Sequence, residues 1–211
     1  MNSVPIPAMT PQCVHDYLRE LGSKWMGKGV VIELGSWLGA SAHPLLEGLK
    51  EAGYDRPFYA YDRWQANLEQ VVKAKNQGVI IQEGQDLLPL FLKNVTPVYN
   101  YIYPTRGAIS TTIQTYPKEP IEICLFDAPK QEPIFTDAVR ALSPYWIPGV
   151  TVLGLLDYYF YLSIEGRMRE KFKAPVNFIE KHWDSFVQLR QWGPCECSCV
   201  FYMYVKKLGR L

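Results

Sequence analysis

Four acids and two glycines carry the chemistry available to this sequence. Glu33 stands two residues before Gly35, and Gly39 follows in the run Gly35-Ser36-Trp37-Leu38-Gly39. Two glycines behind a buried apolar run allow a tight turn and a close backbone approach. A dinucleotide fingerprint would need its middle glycine where Trp37 stands, so that the backbone could meet a pyrophosphate. The Trp37 indole disfavours that ligand, and the Glu33 carboxylate would repel a phosphate. A nucleoside with an amino group and no phosphate suits both residues. Asp62 ends a second apolar run, 23 residues beyond Gly39, close to the roughly 20-residue spacing of an acid that accepts ribose hydroxyls. Asp127 and Asp157 end two more apolar runs, where an unpaired charge is costly, so each must reach solvent, a partner or a ligand. Both are candidates for a site role. A helix cap at Asp62, and caps or ion pairs with Arg106 or Lys130 at Asp127, are the structural alternatives.

Other groups are more weakly marked. His182 is the candidate base among three histidines, and His15 and His43 read as structural. Arg106, after the third strand, is a candidate substrate contact. Trp37, Trp64, Tyr158 and Tyr159 fall where a cleft wall is expected. Cys195, Cys197 and Cys199 alternate along the chain, whereas zinc sites favour wider spacing and a fourth ligand.

These residues need elements to position them. Apolar runs at 29–34, 57–62, 98–103, 121–128 and 150–159 read as strands, and 185–192 and 198–205 as a closing pair. Helical patterns fill 41–53, 65–78, 86–93, 133–146 and 161–173, with Ser41 a candidate N-cap. A leader helix begins at Thr10-Pro11, with Thr10 as its cap. Strands alternating with helices predict an α/β fold: a Rossmann-like, mostly parallel seven-stranded sheet with an antiparallel terminal strand and helices on both faces. Residues 1–24 form a leader packed on a single domain, 25–211. Ligands of such sheets sit beyond the carboxyl ends of the strands.

The chain has 211 residues, 48% of them hydrophobic, with a net charge of +1. It shows no basic cluster to follow a nucleic-acid backbone, no secretory signal and no apolar run long enough for a membrane span. Five cysteines, sparsely spread, predict reduced thiols and a cytoplasmic setting. The sequence leaves a homo-oligomer open.

The runs Ile32–Ser41 and Tyr59–Trp64, the stretch Leu125–Ala128 and the closing strand pair resemble class I S-adenosylmethionine-dependent methyltransferases. Within that class, residues 105–113, 121–128 and 153–159 resemble the macrocin O-methyltransferase type. The resemblance implies methyl transfer to a small-molecule hydroxyl, of sugar or natural-product type. It implies a cofactor-binding set of Glu33, Gly35, Ser36, Trp37, Gly39, Ser41, Asp62, Arg63 and Asp127. Asp127, Asp157 and His182 would be catalytic, and Arg106 and Tyr158 would meet the substrate. Asp127 and Asp157 would be the ligands if Mg2+ is used. The chain departs from the group at Leu156, where an acid is usual, and at Lys130, near the place of another. A catalytically silent subunit and a nicotinamide-dependent oxidoreductase are the alternative functions.

Overall fold

A computed structural model describes residues 6–193 and 197–209. In chain order the main elements are α1 (Gln12–Ser23), β1 (Val30–Leu34), α2 (Ala42–Glu51), β2 (Phe58–Asp62), α3 (Leu68–Asn76), α4 (Leu88–Val95) and β3 (Ile102–Arg106). Then come α5 (Ile109–Thr112), β4 (Ile121–Phe126), α6 (Ile134–Leu142), β5 (Val152–Leu155), α7 (Met168–Phe172), α8 (Ala174–Lys181), β6 (Phe186–Gln191) and β7 (Val200–Tyr204).

The strands form one seven-stranded sheet in the order β3-β2-β1-β4-β5-β7-β6. Only β7 is reversed: it runs antiparallel to β5 and to β6. Strand β1 lies centrally, parallel to β2 and β4. Side chains alternate across it, as the two-residue period of a strand requires. Val31 joins a core with Leu18, Leu45, Phe91 and Phe201. Ile32 and Leu34 join the opposite core with Phe126, Phe135 and Trp146. Both faces are therefore covered, which explains why the central strands are apolar almost throughout.

Glu122 interrupts β4 without leaving a buried charge unmet. Its carboxylate accepts the backbone N–H groups of Met26, Lys28 and Gly29. This fixes the chain just before β1 enters the sheet.

The leader helix lies against α2 with almost no gap. A Cβ placed on Gly48 would come within 2.0 Å of the Arg19 carbonyl oxygen, and one on Gly22 within 2.4 Å of that of Leu45. Both obstacles are backbone, so neither can rotate away. Gly48→Ala is expected to cost about 3 kcal/mol, the upper end of overpacking, read as a lower urea midpoint. A change below about 0.5 kcal/mol would mean that the helices do not meet at this glycine.

Several element boundaries differ from the sequence expectation. The third strand begins at Ile102, not at 98, because Val98 and Tyr99 still donate to Val95 and finish the turn after α4. It includes Pro104, which an edge strand tolerates. Thr10 does not cap α1: the N-cap is Pro11, and the Thr10 hydroxyl meets His15 Nε2 at 2.8 Å. Ser41 is itself helical in conformation and its side chain makes no cap bond. The helix expected over 161–173 breaks at Gly166, which has φ +64°. Only 168–172 are α-helical there, and α8 carries the chain on to β6.

Candidate active site

Register sets the site before any side chain is considered. Leu34 pairs with Tyr61 on one side and Phe126 on the other, and Phe126 pairs with Leu155. The loops after β1, β2, β4 and β5 therefore emerge side by side at the carboxyl edge. The loop after β4 is tied to β1, since Asp127 and Ala128 both donate to the Leu34 carbonyl at 2.9 Å.

The turn after β1 is the tightest of these. Gly35 N–H donates to the Tyr61 carbonyl, and Gly39 N–H to that of Ser36, each at 2.7 Å. A Cβ on Gly35, at φ +100°, would sit 2.6 Å from Ala128 N and Cβ. The space that glycine vacates is thus filled by the β4 loop rather than left open. Between the glycines, Trp37 adopts φ +39°, and Trp64 after β2 adopts φ +45°. Left-handed backbone at a non-glycine residue costs of order 1–3 kcal/mol and persists only where neighbours enforce it.

Asp62 is the enforcing neighbour. Its Oδ2 accepts Trp37 N–H at 2.9 Å and its Oδ1 accepts Trp64 N–H at 2.7 Å. The Trp64 indole N–H then donates to the Trp37 carbonyl at 3.0 Å. Burial raises the Asp62 pKa, against the pull of these donors. The carboxylate does not cap the following helix. That task falls to Asn67, which exchanges bonds with Gln70 in a capping box. Each Asp62 oxygen keeps a second lone pair for a ligand hydroxyl.

Two cavities adjoin at Asp62. One, of about 310 Å3, is lined by Gly35, Trp37, Asp127, Lys130, Asp157 and Phe160. The other, of about 340 Å3, is lined by Gln65, Ala108, Ile109, Ser110, Gln131 and Ile134. Asp62, Arg63, Gln70 and Ala128 border both. The leader contributes Met9 and Thr10 to the lining of the first cavity. It is held there by Ala8, which exchanges two hydrogen bonds with the Gln77 amide.

Asp127 and Asp157 both line the first cavity. Burial, reinforced by the Asp157 charge and opposed by Lys130, pushes Asp127 up to a pKa of about 7. Asp157 is paired with Lys130, whose Nζ lies 2.7 Å from Oδ2. The expected partner of Asp127 is thus the partner of its neighbour.

Glu33 and Ser36 lie beneath the turn, not on the cavity wall. Glu33 is 1% exposed. Both its carboxylate oxygens, the Ser36 hydroxyl and the Trp37 indole N–H are buried without a well-formed hydrogen bond. Burial pushes Glu33 to a pKa of about 8; the nearby Ser36 hydroxyl opposes the rise, and Asp127 and Asp62 add to it. The folded protein therefore keeps a proton that the unfolded chain releases above about pH 4.5. The unfolded state binds fewer protons in that window, so stability falls as pH rises from about 4.5 to 8. Glu33→Gln is expected to remove this part of the slope, making the variant about 4 kcal/mol less pH-sensitive than the parent between about pH 5 and pH 9. Urea midpoints at both pH values check this, and identical slopes would contradict it.

Other expected site residues lie elsewhere. His182 ends α8 and precedes β6, which starts opposite Tyr204, the last residue of β7. That is the amino edge of the sheet, so His182 cannot serve as the base. Arg106 pairs with Asp86 at 2.8 Å and lines neither cavity. Tyr158 is buried in the far core, against Tyr159 and Tyr202. Trp64 is fully buried, and Tyr159 accepts a bond from Gln191. Phe160 supplies the wall instead. Cys195 lies outside the described residues, and the Cys199 thiol is buried and donates to the Leu156 carbonyl. Sequence reading did not mark Lys130, Gln70 or Phe160 as site residues. No local motif singles them out, because only the fold brings them beside Asp62.

The fold recurs in solved methyltransferases. The O-methyltransferase NovP matches with a TM-score of 0.64 at 14% identity, over 91% of this chain and 79% of that one. The calicheamicin methyltransferase CalS11 matches with a TM-score of 0.56 at 14% identity, over 90% and 77%. SAH-bound PaMTH1 of Podospora anserina matches with a TM-score of 0.55 at 10% identity, over 93% and 80%. This is the class I methyltransferase fold. No family model matches the sequence, and no curated protein does.

The residues present fit the cofactor of the methyltransferase fold. Asp62 stands between two cavities with lone pairs to spare for a ribose. Trp37 and Asp127 line the side beyond Gly35, and orphaned polar atoms lie beneath the turn. They do not fit a divalent ion in the same way. Among the described residues, no three His, Cys, Asp or Glu side chains group to hold a metal, and Lys130 already meets Asp157.

Proposed function

We propose that this protein transfers a methyl group from S-adenosylmethionine to a hydroxyl oxygen of a small molecule of sugar or natural-product type. The observation that carries the reading is Asp62, held between two adjoining cavities by the N–H groups of Trp37 and Trp64. A nucleoside spanning both cavities would set its ribose at that carboxylate. Its base would lie toward Ile109 and Ile134, and its amino acid portion toward Asp127. Trp37 on the wall argues against a nicotinamide dinucleotide, whose pyrophosphate would need to approach the backbone there.

When bound, S-adenosylmethionine supplies a methyl carbon made electrophilic by its sulfonium. The residues of this chain align the acceptor and manage its proton. Asp127, with a pKa near neutrality, accepts the hydroxyl proton as the oxygen attacks. Gly35 and Ala128 keep the two loops in contact, and Met9, Thr10 and Phe160 line the same cavity as Asp127.

The solved O-methyltransferases of this fold support an oxygen acceptor. One of them, CalS11, is described as a TDP-rhamnose 3′-O-methyltransferase. No helix among the described residues is long and apolar enough to cross a membrane. We take the setting to be cytoplasmic and the partners to be small molecules, not nucleic acid or membrane. The test is release of S-adenosylhomocysteine from S-adenosylmethionine with a panel of sugar nucleotides, glycosides and phenols. Release that depends on an acceptor supports the reading. Binding of S-adenosylhomocysteine with no release on any acceptor would indicate a silent subunit.

A further inference from the structure

We propose that Lys130 is the resident cation of the acceptor side of the cleft, occupying the place a divalent ion would need. The proposal deepens the methyl-transfer reading and rests on it for the identity of the acceptor; the charge arrangement stands by itself. Lys130 Nζ lies 2.7 Å from Asp157 Oδ2 and 4.2 Å from the centre of the Phe160 ring. An aromatic face and a carboxylate together hold an ammonium in place from two sides.

Both walls around it are fixed by backbone bonds. Asp127 and Ala128 N–H donate to Leu34, Lys130 N–H to Ala128, and Phe160 N–H to Asp157. Leu156, also on the lining of this cavity, is apolar and offers no ligand. Asp127, Asp157 and Lys130 line this cavity together, with Glu69 and Lys73 also on its wall. Two carboxylates alone would repel each other unless a cation or proton lay near. Here the lysine meets one, and burial raises the pKa of the second.

An ammonium has three donor hydrogens, and one oxygen of Asp157 takes one. A donor left over can meet the acceptor oxygen as it loses its proton to Asp127, so negative charge developing there is met without a metal. A divalent ion at Asp157 would have to displace the ammonium from both the carboxylate and the ring.

The probe is Mn2+ alone, followed by electron paramagnetic resonance of the free ion. It is titrated into the parent protein, Lys130→Met, Lys130→Asp and the double variant Lys130→Asp with Asp157→Asn. The parent is expected to take up no stoichiometric ion at micromolar concentrations. Lys130→Asp removes the cation and adds a third carboxylate, and it should bind one ion about tenfold or more tightly than the parent. The double variant should lose that gain, and Lys130→Met should show little of it. Thermal melting confirms that each variant is folded. Stoichiometric uptake by the parent that Asp157→Asn abolishes would overturn the proposal. So would a folded Lys130→Asp that gains nothing. S-adenosylhomocysteine is titrated into the same parent preparation. Its failure to bind would overturn the methyl-transfer reading while leaving the ion result readable.

Discussion

Asp127→Asn is expected to slow methyl transfer by about 10²- to 10⁴-fold, the usual contribution of a positioned base. Asparagine keeps the size of the side chain and the backbone bond to Leu34, but it cannot take up a proton. The parent carboxyl has a pKa of about 7, raised first by burial and then by Asp157. Its rate should therefore rise as pH increases through about 7 and level off above it. The variant should show a low rate without that rise. Stability should move the other way from activity. A folded pKa above the unfolded value means that ionising Asp127 costs folding free energy above neutrality, so the asparagine variant should be at least as stable as the parent at alkaline pH. Initial rates of S-adenosylhomocysteine release across the pH range, with urea midpoints at the alkaline end, measure both. Full turnover with an unchanged pH profile would remove Asp127 from the chemistry.

Asp62→Ala is expected to abolish measurable S-adenosylhomocysteine binding and to lower stability by about 3 kcal/mol. The binding loss follows from its place between the two cavities. The stability loss follows from Trp37 and Trp64, whose N–H groups would lose a charged acceptor worth about 1.5–3 kcal/mol each. Relief of the cost of burying the carboxylate offsets part of the sum. Both tryptophans are also left-handed, so losing the carboxylate frees a strained backbone on both sides of the cleft. Asp62→Asn keeps one accepting oxygen and should fall between. Urea unfolding and calorimetric titration of the three proteins separate the effects. A variant as stable as the parent would show that the two N–H bonds carry little.

The sequence made the sheet legible because its central strands are buried on both faces. Each appears as a short apolar run ending in an acid or a glycine, as at Glu33-Leu34-Gly35 and Tyr61-Asp62. The edge was harder to read. Tyr99 and Tyr101 precede the true start of β3 at Ile102, and aromatic residues suit a loop against the core as well as a strand. The turn and Asp62 could also be read together, since they lie within about one βαβ unit of each other. The acceptor side was not. Lys130, Phe160 and Met9 come from three distant segments, and none has a spacing rule. His182 shows the converse: its residue type suggests chemistry, but the direction of β6 puts it at the wrong end of the sheet.

The proposed methyl transfer requires that the cleft around Asp62 take S-adenosylmethionine. Isothermal titration of the parent protein with S-adenosylhomocysteine, and separately with NAD, tests it most directly. Saturable one-to-one binding of S-adenosylhomocysteine in the micromolar range, about −8 kcal/mol, is expected, with no heat of binding from NAD. Absence of S-adenosylhomocysteine binding by the folded protein, or tighter binding of NAD, would contradict it.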